Sequence, residues 1–81
     1  MISQIDIDAL ASIQTAEDMD CAKLLAHIHG YKVEDNFVMG TFGWILWLEN
    51  DGARYFEIPS RDKPLVPYGQ ITDFLRRQTC P

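Results

Sequence analysis

No stretch of this 81-residue sequence approaches the roughly 18 consecutive apolar residues that cross a bilayer, so no membrane span is expected. Met1-Ile2-Ser3-Gln4-Ile5-Asp6 lacks the basic and apolar segments of a signal peptide. That points to a cytoplasmic protein, or to export by a route the sequence does not display. Cysteine is scarce. Cys21 falls in a helical pattern and Cys80 in the C-terminal tail, which reads as two free thiols in a reducing compartment. The alternative is a disulfide stapling the tail to the helix.

Catalytic and metal signatures are also missing. Cys21, His27 and His29 carry ligand-type side chains, but Cys-x₅-His-x-His is not a zinc spacing. Residues two apart on a helix diverge by about 200°. Gly40-Thr41-Phe42-Gly43 lacks the lysine and following helix of a phosphate-binding loop. Cys21 with His27, or Ser60 with a histidine, has no nucleophile elbow or oxyanion turn beside it. No catalytic residue, metal or cofactor is assigned.

Basic clusters are few. Arg61, Lys63, Arg76 and Arg77 gather toward the C-terminal end of a chain whose net charge is −5, and they read as ordinary solvated charges. Direct nucleic-acid binding is not expected, because counterion release needs clustered cations. The first twenty residues hold Asp6, Asp8, Glu17, Asp18 and Asp20 and no Lys or Arg. Acids and bases balance over the rest, so the whole excess lies in the first quarter. Such a balance suits a basic partner.

What is present is an ordinary globular composition, 47% hydrophobic and 23% charged, enough for a single domain over residues 1–81. A chain this short hides only about 60–65% of its unfolded surface, so an oligomer interface would help it.

Taken in order, Ser3 can cap a short helix with Asp6 at its third position, and Ile2 and Ile7 have the spacing of a hydrophobic staple. A short strand over Ile2–Ile7 is the competing assignment. Thr15 then caps a second helix over about Ala16–His29. Its apolar face is Cys21, Leu24, Leu25 and Ile28, widened by Met19, Ala22 and Ala26, and Gly30 ends it. Tyr31–Glu34 and Phe37–Met39 can be strands around an Asp35-Asn36 turn, and the strand count there is left open. Leu65-Val66, bracketed by Pro64 and Pro67, is too proline-bound for a central strand. Tyr68–Gln78 forms the last helix, with Tyr68, Ile71, Phe74 and Leu75 on one face.

The centre of the chain is a hairpin running from Thr41 through Asn50-Asp51-Gly52 to Ile58. A two-residue loop would pair Glu49 with Arg54. A three-residue loop, with Gly52 left-handed, would pair Glu49 with Ala53 and Trp47 with Tyr55. The second is preferred because it keeps Glu57 out of the core. It places Phe42, Trp44, Leu46, Leu48, Phe56 and Ile58 inside, with Arg54 at the turn end, and Ile45, Trp47, Glu49, Tyr55 and Glu57 outside.

The expected fold is α+β: a three-stranded antiparallel β-meander packed against two main helices plus a short N-terminal helix. The expected function is a small acidic, non-enzymatic interaction protein, a homodimer or a binder of a protein partner. Ile45, Trp47 and Tyr55 would anchor the contact, with Glu49 and Glu57 as rim, unless the N-terminal helix covers that face. The second reading is an acidic inhibitor of anti-restriction or anti-CRISPR type. There Asp6, Asp8, Glu17, Asp18 and Asp20 would mimic phosphates on a basic site. A small enzyme is third.

Overall fold

A computed structural model of the chain describes residues 2–40, 43–57 and 63–79. Ser3 has an extended backbone, accepts the Asp6 N–H at 3.1 Å and starts helix α1, Gln4–Leu10. Ile2 and Ile7 are both buried in the core, as their staple spacing requires. A 3₁₀ turn over Ala11–Thr15 follows and displaces the expected start of the second helix. The Thr15 hydroxyl turns back to the Ser12 carbonyl at 2.8 Å, and Asp18 caps instead, accepting the Cys21 N–H at 2.8 Å. Helix α2 therefore spans only Met19–Ile28. Its end follows the sequence. Gly30 sits at φ +88°, and the Gly30 and Tyr31 N–H groups donate to the His27 and Ala26 carbonyls, the paired bonds of a Schellman termination.

The buried face of α2 differs from the expected one. Ala22 and Ala26 are fully buried, whereas Leu24 and Ile28 are 59% and 66% exposed. The two alanines let the helix approach its neighbours closely, and interaxial distance follows the size of the contact residues. Leu24 and Ile28 are rotated outward, while Met19, Cys21 and Leu25 pack partly buried against the core.

Five strands, not three, form one antiparallel sheet in the order β1-β2-β3-β4-β5. They are β1 Lys32–Glu34, β2 Phe37–Met39, β3 Trp44–Leu48, β4 Gly52–Glu57 and β5 Leu65–Pro67. The segments before the hairpin, whose strand count the sequence left open, supply two strands, β1 and β2, and the proline-bracketed Leu65-Val66 supplies β5. Strand β5 lies at the sheet edge, the place where its prolines are tolerated. A 3₁₀ turn over Tyr68–Gln70 leads into helix α3, Ile71–Thr79. Tyr68, Ile71 and Leu75 are buried, and Phe74 meets Tyr55 edge-on at 6.4 Å.

The hairpin register matches neither candidate. Leu48 pairs with Ala53, Trp47 with Arg54, Leu46 with Tyr55 and Ile45 with Phe56. The Glu49 N–H donates to the Gly52 carbonyl at 2.8 Å, so Asn50 and Asp51 form the tip. Gly52 is not left-handed. It is needed because a Cβ there would stand 2.1 Å from the Val66 carbonyl oxygen of β5. The glycine serves the next strand pairing, not the turn.

One residue of slip exchanges faces for the whole of β4. Tyr55 moves to the inner face, beside Val38, Trp44, Leu46, Leu48, Ala53 and Val66, all in the core. Phe56 moves to the outer face. Phe42, Ile58 and Cys80 lie outside the described residues, and with them their expected packing and the tail-to-helix disulfide.

Candidate interaction surface

All three helices lie on the inner side of the sheet. The buried helix residues share one cluster with the inner-face strand residues, and that cluster includes no outer-face residue. The N-terminal helix does not cover the outer face. Asp6 on α1 instead accepts the Tyr31 hydroxyl at 2.8 Å and the Trp44 indole N–H at 3.3 Å, both on the inner side.

The register builds two rows across the outer face. One runs Lys32, Met39, Ile45, Phe56. The other runs Glu34, Phe37, Trp47, Arg54, Leu65. Phe37, Met39, Ile45, Trp47 and Phe56 are half-buried, and among the described residues no helix packs over them. The Phe37 and Trp47 rings are 5.5 Å apart. An alternating pattern of buried and half-buried residues along β3 records the difference between the faces.

Charged groups frame this apolar centre. Lys63 holds its ammonium 4.5 Å from the Phe56 ring centre and 6.0 Å from that of Trp47, close enough for cation–π attraction. Arg54 pairs with Glu49 and donates to the Lys63 carbonyl at 2.7 Å, pinning the chain that carries Lys63. At the β1 edge, Lys32 and Glu34 are 3.6 Å apart and exposed.

Of the expected anchors, the structure puts Ile45 and Trp47 on this face and Glu49 at its turn end. Tyr55 and Glu57 belong to the other side. The Tyr55 hydroxyl donates to Glu57. Burial and that carboxylate push the tyrosine pKa up, and the bond holds Glu57 below the usual carboxylate range. Phe37, Met39, Phe56 and Lys63 take part where the sequence did not place them. Phe56 was readable only through the register, which Gly52 disguised.

The five acids of the first quarter differ in their surroundings. Asp6 is occupied by Tyr31 and Trp44. Asp8 accepts from Gln4 and lies 3.8 Å from Arg76. Glu17, Asp18 and Asp20 are exposed around the start of α2. Asp18 acts there together with the hairpin acids: Tyr68 is pushed up to about 12, first by burial and then by the charges of Asp18, Glu49 and Asp51. Two open depressions mark the surface. One is lined by Met19, Asn36, Glu49, Asn50, Asp51 and Leu65, and the other by Gly30, Tyr31, Lys32, Met39 and Gly40. Among the described residues no three His, Cys, Asp or Glu side chains are placed to hold a metal ion, and no helix is long and apolar enough to cross a membrane. Comparison with known protein families, with curated proteins and with solved structures gives no match.

Proposed function

We propose that this chain acts by binding protein through the outer face of its sheet, with Trp47, Phe56, Phe37 and Ile45 as the contact. The observation that supports this is the one-sided architecture. Among the described residues every helix packs on the inner face, and five large apolar residues lie side by side, half-buried, on the other. Contiguous apolar surface on a small protein marks a contact site, and aromatic residues dominate the energy of such sites. The framing charges would form a polar rim around the contact and select orientation.

The test is Trp47→Glu. The variant should keep the wild-type circular dichroism spectrum. It should also lose association, whether with itself in light scattering or with a protein captured from the native host. Association unchanged by the substitution would remove this face from consideration.

A second reading, an acidic inhibitor seated on a basic site, draws on the exposed Glu17, Asp18 and Asp20 around the start of α2, next to the depression lined by Met19, Glu49 and Asp51. It predicts a complex with a basic protein that weakens steeply with salt and with Asp18→Asn combined with Asp20→Asn. A complex indifferent to both would count against it.

A further inference from the structure

The occupant of the outer face can be narrowed by its own pattern of charge. Around it stand Lys32, Arg54 and Lys63 against Glu34 and Glu49, a nearly balanced set. The acid excess of the molecule lies on the helical side, at Asp8, Glu17, Asp18 and Asp20. A second copy of a chain with net charge −5 can therefore approach by this face without bringing its acidic regions together. A strongly basic partner would find little here to recognise.

The two rows are also complementary to each other. A two-fold axis lying between two stacked sheets and perpendicular to the strands lays each row on the opposite row of the other copy. Lys32 then faces the second copy's Glu34, and Glu34 faces its Lys32. Met39 meets Phe37, and Ile45 meets Trp47. Phe56 meets the aliphatic stem of Arg54, whose guanidinium stays on Glu49. An axis parallel to the strands does worse, because it carries Lys32 toward Lys63. Face-to-face packing of sheets is a standard way to cover two apolar faces at once, and an isologous contact needs this kind of self-complementarity.

We propose, resting on the binding role argued above, that the outer face pairs with a second copy of this chain in a two-fold sheet-on-sheet dimer, with Lys32 and Glu34 forming reciprocal ion pairs across the axis.

Sedimentation equilibrium of the full chain tests this with a charge exchange. The wild type should be a dimer. Lys32→Glu and Glu34→Lys should each raise the dissociation constant about tenfold, since each reversal sets like charges together at two symmetric places. The double exchange Lys32→Glu with Glu34→Lys should restore it. Trp47→Glu should be monomeric, and Ile28→Lys, on the exposed side of α2, should remain a dimer. Circular dichroism confirms folding of each variant. A monomeric wild type overturns the self-pairing; if Trp47-dependent capture of another protein persists, the binding role still stands. A Trp47-dependent dimer that the double exchange fails to restore overturns the proposed axis. A dimer indifferent to Trp47→Glu overturns both the pairing and the role of the face.

Discussion

Asp6 and Tyr31, separated by 25 positions in sequence, are joined by a 2.8 Å hydrogen bond that ties α1 to the residue leading into β1. The other carboxylate oxygen accepts the indole N–H of Trp44, whose ring meets Tyr31 at 5.6 Å. This triangle fixes the first helix on the inner side of the sheet, away from the outer face. Bonds to a charged group contribute about 1.5–3 kcal/mol, and orphaning a buried donor costs about 1–3 kcal/mol. Asp6→Ala should therefore destabilise the protein by about 2–3 kcal/mol and Tyr31→Phe by about 1 kcal/mol. In urea unfolding the double variant should cost less than the two changes added.

The tyrosines set an alkaline limit. Burial raises Tyr31, Tyr55 and Tyr68 above the ordinary value of 10.0, with Asp6 and Glu57 adding to the first two. The contribution is complete below the unfolded value, where both states keep the proton. As pH rises past 10 the unfolded chain releases protons that the folded one retains, so stability falls. For Tyr68 the loss ends near its folded value of about 12; for the other two it continues further. Urea midpoints measured between pH 8 and 12 should decline from about pH 10, and Tyr31→Phe should show the shallower decline.

Glycines separate close approach from turn geometry. A Cβ on Gly40 would stand 2.0 Å from the Trp44 ring, and one on Gly52 would stand 2.1 Å from the Val66 carbonyl, whereas Gly69 has no neighbour within 4 Å. Gly40→Ala and Gly52→Ala should each cost about 1–3 kcal/mol through overpacking. Gly69→Ala should be neutral or stabilise by up to about 1 kcal/mol, by restricting the unfolded chain. Thermal melts of the three variants give the comparison.

At Asp18 the charge can be removed without the cap. Asp18→Asn keeps an acceptor for the Cys21 N–H, and Asp18→Ala does not. The alanine variant should lose about 1 kcal/mol and the asparagine variant only a few tenths. Equal losses in urea unfolding would mean that the charge, rather than the cap, holds the start of α2.

Local signals in the sequence reached far into the fold. The Ser3 cap, the Ile2 and Ile7 pair, the Gly30 termination and the face of α3 each depend on residues a few positions apart. The inward Trp44, Leu46 and Leu48 and the outward Ile45 and Trp47 follow from alternation alone. What failed depended on distant partners. Gly52 looked like a turn residue because the carbonyl it must clear belongs to Val66. On α2, Ala22, Ala26, Cys21 and Leu25 face the core as their spacing requires, but Leu24 and Ile28 do not, because the close packing distance favours the side of the helix that carries the alanines. Asp6 read as one acid in a charged segment because Tyr31 and Trp44 lie 25 and 38 residues away. For the contact surface, the same slip cost Phe56 and falsely added Tyr55.

The two tryptophans report on the two faces of one strand. Trp44 is fully buried with its indole N–H on Asp6, and Trp47 stands half-exposed beside Phe37 and Lys63. Their side-chain N–H resonances in a ¹⁵N-labelled sample can be followed through a concentration series and on addition of a captured partner. Association through the outer face should shift or broaden the Trp47 signal and leave that of Trp44 in place. Association that leaves the Trp47 signal unmoved would contradict the assignment of this face as the binding surface.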